Sequence, residues 1–286
     1  MSATTGVDTG TVPTTGAGTG AVLLLRLAGP LQSWGVKGAF NRRETQPEPT
    51  KSGVIGLLAA ARGLARTDPL GDLARLRLGV RVDVPGVPLR DYHTVSDYRG
   101  LPLPQSGVSG KGTQRPTSPA KYTHVTSRHY LQDAVFVVAL EGTEETLAQV
   151  ERELRAPAFP LALGRRSCPP TQPLVLGPHP GGMELVLRTH PWQPSVAARR
   201  REERRRRAGR EGPWTVPCPV TLETADGEDT LHDVPVSFDP LNRAFTIRRV
   251  RRDLFDVPAQ PPSSLSGDAA STPPDEPHDP FALLDG

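Results

Sequence analysis

Along the chain, short apolar runs alternate with long polar intervals rich in proline and glycine. Residues 21–30, AVLLLRLAGP, form a continuous apolar run that stops at Gly-Pro, the length of one buried strand. Its single charge, Arg26, belongs near the strand end or on an exposed face. Residues 31–49, LQSWGVKGAFNRRETQPEP, mix turn formers, basic residues and a tryptophan, and predict a long surface loop. Thr50 and Ser52 then offer cap oxygens behind Pro49. Val54, Ile55, Leu57, Leu58, Ala61 and Leu64 recur at helical spacing behind them.

Residues 76–84, LRLGVRVDV, alternate Leu and Val with Arg77, Gly79, Arg81 and Asp83, the period-two pattern of a half-buried strand. Order is then lost over residues 85–128, which hold few large aliphatics and many basic or aromatic side chains. An interval of this length inside a compact domain is commonly functional or mobile. DAVFVVAL (133–140) predicts the next strand, and EGTEETLAQVERELRAP an amphipathic helix opened by Thr143, with Leu147, Val150 and Leu154 on its apolar face. The series β-α-β, excursion, β-α is completed most simply as an α+β fold. That fold is a ferredoxin-like or RRM-like domain over 21–177, with residues about 85–128 as an elongated β-hairpin inserted beside the middle strands. Beyond it, MELVLRT (183–189), DVPVSF and AFTIRRV predict strands of a smaller C-terminal β-rich portion over 178–256. Residues 199–210, with eight arginines and two glutamates, predict a solvated helix or a disordered insert.

Composition changes this picture at the ends. Residues 1–20 are mostly Gly, Thr, Ser, Val and Ala without a basic residue, which predicts a disordered lead and no secretory signal. Residues 257–286, rich in Pro, Ser and Asp, predict a disordered acidic tail. Charge is divided accordingly: all 34 basic residues and 24 of the 31 acids lie in residues 1–252, which leaves that stretch ten charges positive. Such a body suits a polyanion or simple solubility. Cys168 and Cys218 are too few for a disulfide framework and lack zinc-ligand spacing. No metal or cofactor is expected. No apolar run reaches the roughly 18 residues of a membrane span, so the expected location is cytoplasmic with no membrane partner.

Candidate chemistry sits in the loops. PTKSG (49–53) places a lysine and a serine at a helix start, where free amides and the dipole favour an anion. It lacks the glycines of a nucleotide-binding loop, since Thr50 precedes Lys51 and QPEP precedes that, so a single backbone phosphate and an ordinary capped helix both remain open. RDYHTV (90–95) and KYTH (121–124) set Tyr and His beside cations. That grouping can stack a base and hold its phosphate, or cleave RNA without metal, or simply cover a hairpin surface. LGRRSCPP (163–170) is either a phosphate contact or a structural turn. His179, His190, His232 and His278 read as loop residues.

Five ordered blocks carry a resemblance: LLLRLAGPLQSWG (23–35), PTKSGVIGLLAAARG (49–63), LRDYHTVSDYRG (89–100), RHYLQDAVFVVAL (128–140) and PLALGRRSCPPTQPLVLG (160–177). Together they resemble the Cas-five family in its type I-E CRISPR Cascade form. That resemblance implies an RRM-like domain with a thumb, holding the 5′ handle of crRNA. It also implies packing against the terminal backbone subunit and the large PAM-reading subunit, with target DNA engaged only indirectly. By block, the implied handle contacts are Gln32, Ser33, Trp34, Lys37, Arg42, Lys51 and Ser52. Those of the thumb are Arg90, Tyr92, His93, Arg99, Lys121, Tyr122 and Arg128. No catalytic residue is implied in this form, although Trp34 also fits as a packing residue. A type I-C relative cuts repeat RNA, so a metal-independent endoribonuclease using His93, Lys121, Tyr122 or His124 is the alternative. The arginine-rich insert and both ends fall outside the resemblance.

Overall fold

The computed structural model describes residues 21–35, 41–108, 114–116, 120, 122–207 and 214–259. Lys37, Lys121, the predicted lead and nearly all of the predicted tail lie outside the described residues. Strand β1 (Ala21–Ala28) takes the first apolar run and feeds two cores, with Leu23, Leu25 and Leu27 on one face and Val22 and Leu24 on the other. Two short strands follow, β2 (Leu31–Gln32) and β3 (Arg42–Arg43). Helix α1 (Lys51–Arg62) begins where Thr50 Oγ1 accepts the Gly53 amide at 3.2 Å. It ends at Gly63, whose φ of 85° closes the last turn in the left-handed region.

After a 3-10 turn at Gly71–Arg75 comes β4 (Arg77–Val84). The chain then leaves the body as a long hairpin made of β5 (Val87–Ser96), β6 (Pro104–Val108), β7 (Gln114–Pro116) and β8 (Thr123–Gln132). It re-enters through β9 (Val135–Glu141), helix α2 (Glu144–Arg155) and β10 (Val175–Pro180). Helices α3 (Met183–Thr189) and α4 (Val196–Arg207) precede β11 (Thr215–Glu223), β12 (Asp229–Ser237) and β13 (Ala244–Pro258).

Seven strands make one antiparallel sheet in the order β10-β1-β9-β4-β11-β13-β12. The C-terminal strands lengthen this same sheet, joining it where Val220, Thr221 and Leu222 pair with Arg81, Val80 and Gly79. A second, smaller sheet is built on β8, flanked by β5 on one side and by β2 and β3 on the other. Helices α1 and α2 cover one face of the large sheet, packing on Leu78, Val80, Phe136, Val138 and Leu140. Fully burying each such side chain contributes about 1.5–3 kcal/mol.

Two expectations are corrected here. MELVLRT is a helix, not a strand: Met183, Val186 and Leu187 are buried at i, i+3, i+4 spacing against the opposite sheet face. Gly79 makes room for it, since a Cβ there would lie 2.4 Å from the Met183 sulfur. Nor is β4 half-buried. Its polar face lies under α3, where the fully buried Arg81 guanidinium holds Asp83 at 2.6 Å. The same group donates to the carbonyls of Leu187 at 2.5 Å, His190 at 2.6 Å and Pro191 at 3.1 Å, closing the C-terminus of α3. Asp83 also accepts the Gln193 amide at 2.6 Å; burial pushes its carboxyl upward while Arg81 opposes that shift.

Among the histidines read as loop residues, His179 and His232 are strand residues and His190 lies in the bend after α3, while His278 is outside the described residues. His179 lies in β10, and its ring meets that of His190 edge to face at a centroid distance of 5.2 Å. Burial, with Arg81 and His179 adding to it, lowers His190 to about 4. Burial raises the Cys218 thiol to about 12, consistent with a packing residue. No helix among the described residues is long and apolar enough to cross a membrane, and none of those residues cluster as metal ligands.

Candidate nucleic-acid interface

Strand pairing in the small sheet decides which loop residues meet. Arg42 on β3 pairs with Ser127 on β8, which pairs in turn with Tyr92 on β5. Directly paired residues share a face, so Arg42, Ser127 and Tyr92 form one cross-strand row. Arg90, two positions before Tyr92 and hence on the same face, donates to Ser127 Oγ at 3.2 Å. Tyr92 is 67% exposed, and Arg42, paired with Glu44 at 2.8 Å, is also open to solvent. Two guanidiniums around an exposed phenol and a hydroxyl can hold phosphates and stack a base.

The opposite face carries His93, His124 and Arg128. His93 pairs with Thr126, and its Nδ1 lies 3.7 Å from Asp91 Oδ2. Arg128 Nε donates to Thr126 Oγ1 at 3.3 Å. Farther out, Tyr98 is almost fully exposed and Tyr122 is 56% exposed. Arg99 folds back on Asp97 at 2.7 Å and holds that carboxyl down to about 2. The apolar Val87, Leu89, Val95 and Val125 are also exposed along this hairpin.

Within the first loop, three implied contacts prove to be internal. Gln32 is fully buried, its amide donating to the carbonyls of Leu27 at 3.0 Å and Ala134 at 2.8 Å. Its Oε1 accepts the indole N–H of Trp34, which is fully buried in the core and seated against Gly53. Ser33 is buried too and donates to the His129 carbonyl at 3.1 Å. A short apolar-flanked loop must satisfy its own polar groups on the way into the core, and these side chains do that work instead of facing a ligand.

The start of α1 is also closed. The Lys51 amide donates to Asp233 Oδ2 at 2.7 Å, and Lys51 Nζ donates to Glu223 at 2.7 and 3.0 Å. Only 4% of the Lys51 side chain is exposed, and its charge is paired with Glu223. The anion that the helix dipole favours is therefore supplied by β12 and β11. Ser52, partly buried, lies 3.4 Å from Thr50 Oγ1.

In the GRRSCPP turn Arg165 binds carbonyls and not acids, whereas Arg166 and Ser167 are exposed to solvent. Arg165 donates to His129 O at 3.1 Å and Arg43 O at 2.7 Å, and stacks 4.7 Å from the Tyr130 ring. It thus clamps β3 to β8 and sets the Arg42 row. Gly164 permits this approach: its φ is +87°, and a Cβ would fall 1.8 Å from the Ser33 carbonyl oxygen. Arginines flanked by glycine and proline were a visible signal, but the partners of Arg165 lie far away in sequence.

The family model described as CRISPR-associated protein (Cas_Cas5) matches residues 22–251. The CRISPR system Cascade subunit CasD of Escherichia coli (strain K12) is 38% identical over 173 residues, which cover 54% of this chain and 70% of that protein. A solved chain of a CRISPR RNA-guided surveillance complex is 36% identical, with a TM-score of 0.59, over 83% of this chain and 91% of that one. Another solved Cas protein is 34% identical, with a TM-score of 0.58, over 84% of this chain and all of the other.

Proposed function

Because the chain belongs to the Cas5 family of CRISPR-associated proteins, we propose that it is a non-catalytic subunit of a Cascade surveillance complex that holds the 5′ handle of crRNA. The observation that carries this reading is the exposed Arg42–Ser127–Tyr92 row with Arg90 beside it. Cations there fix the backbone, while Tyr92 offers a stacking platform that tolerates any base. The order β10-β1-β9-β4, with α1 between β1 and β4 and α2 between β9 and β10, supports a ferredoxin-like body for this subunit. The β5–β8 hairpin is then its thumb, and its exposed apolar residues suit the neighbouring backbone subunit and the large PAM-reading subunit. Target DNA is reached through the guide, which carries sequence recognition.

A second reading, metal-independent cleavage of repeat RNA, draws on His93, His124 and Arg128 sharing the other face of the hairpin. Tyr92 and this histidine pair point to opposite sides, so they do not converge on one phosphate. Incubating the purified chain with repeat RNA in chelator tests both readings. Retention of intact RNA is expected, and a defined cut abolished by His93→Ala or His124→Ala would overturn the non-catalytic assignment.

A further inference from the structure

The arginine-rich segment is an ordered helix with a one-sided charge distribution. On α4, Arg200, Arg201, Arg204 and Arg205 are exposed, whereas Glu202 and Glu203 turn toward the body. The contrast is clearest at the 3.7 Å pair between Arg205, 81% exposed, and Glu202, 12% exposed. Four like charges at i, i+1, i+4, i+5 repel one another, so the solvated face is one that a polyanion would relieve.

The helix is also anchored. Ser195 Oγ accepts the Ala198 amide at 3.2 Å and donates to Asp133 Oδ2 at 3.3 Å. Ala198 packs on Ala28, Val84 and Val135, the strand ends from which the hairpin departs. Arg206 lies 5.4 Å over the Trp214 ring, which fixes the far end of the helix. The face is therefore held at the root of the hairpin, not on a free tether.

We propose that the exposed face of α4 is a separate contact for the phosphate backbone of a nucleic-acid duplex. The segment from 196 to 207 contains no aromatic residue, so it offers no platform for stacking an unpaired base. What it offers is point charge on a rigid rod, the requirement for sequence-independent backbone binding. This contact does not rest on handle recognition by Arg42 and Tyr92.

The test uses the full chain and a duplex DNA of arbitrary sequence, measured across a salt series. Replacing all four arginines with Gln should lower duplex affinity at least tenfold at low salt. The slope of log K against log salt should fall by about 3 to 4, since each phosphate contact contributes roughly 0.9. Affinity for single-stranded handle RNA should stay within about twofold. The corresponding Lys variant, which keeps charge and helix, should retain duplex binding and guards against a folding artefact. Unchanged duplex affinity in a folded Gln variant would overturn the proposal. So would an equal loss toward handle RNA, which would merge α4 with the handle site, or a loss confined to a polyglutamate probe, which would indicate an acidic protein partner.

Discussion

Asp233 Oδ2 accepts the backbone N–H of Lys51 at 2.7 Å across 182 residues of sequence, so a carboxylate of β12 closes the positive end of α1. The same carboxylate is gripped by Arg248 at 2.7 and 3.0 Å, and both groups are buried. Removing one partner of such a network strands a charge. Asp233→Ala should therefore cost about 3–5 kcal/mol in chemical denaturation. Lys51→Met should lower stability while the folded fraction binds handle RNA normally; a selective loss of RNA affinity would return Lys51 to the interface.

Tyr92→Ala should weaken handle RNA by about 1–3 kcal/mol, the usual worth of one base–aromatic stack, and Tyr92→Trp should restore it. Stability should move by no more than about 0.5 kcal/mol, because the side chain is mostly solvated. Fluorescence anisotropy alongside a urea melt separates the two effects. For Arg42→Gln, the salt slope on single-stranded RNA should fall by about 0.7.

Gln32→Ala is expected to show the opposite signature. It leaves the Leu27 and Ala134 carbonyls and the Trp34 indole without their partner, a loss of about 1–3 kcal/mol for each group left buried and unsatisfied. Thermal melting should register this while the RNA affinity of the folded protein is retained.

Gly164→Ala combines a left-handed φ with a clash against the Ser33 carbonyl. Backbone strain of this kind costs about 1–3 kcal/mol before any steric term. Displacing the turn should also release Arg165 from the Arg43 and His129 carbonyls, so RNA affinity should fall together with stability. A stable variant with unaltered affinity would show that the clamp is dispensable.

His190 gives the protein a pH dependence. Its folded-state value of about 4 lies below the ordinary histidine value of 6.5, so the unfolded chain binds the extra proton first. The stability this residue contributes is complete above about pH 6.5 and is lost progressively as pH falls toward 4. NMR titration should find His190 neutral at pH 5.5, and His190→Gln should flatten the decline of stability between pH 6.5 and 4.

Local signals were legible where the interaction is local. Thr50 and Thr143 cap their helices through amides three residues on, and the apolar spacing of α1 and α2 matches their buried faces. MELVLRT misled because seven residues are too few to separate a buried helix turn from a strand; the room left by Gly79 on a distant strand decided it. Among the candidate contacts, Arg42, Arg90 and Tyr92 were brought together, whereas Gln32, Ser33, Trp34 and Lys51 were turned inward. Their polarity suggested a ligand, but each meets a group of the chain itself.

Periodicity, capping oxygens and the run of family blocks by themselves determined the α+β class and the long hairpin, because each depends on residues close in sequence, and composition alone determined the basic character of the body. Tertiary structure alone decided which cations face solvent. Lys51 is neutralised by Glu223, Arg81 is buried under α3, and Arg42 comes beside Tyr92 only through β8. A charge is available to a ligand where the fold leaves it open to solvent, as with Arg42, and is withdrawn where burial against a countercharge or carbonyl holds it, as with Lys51 and Arg81; that difference is set by strand order rather than by spacing along the chain.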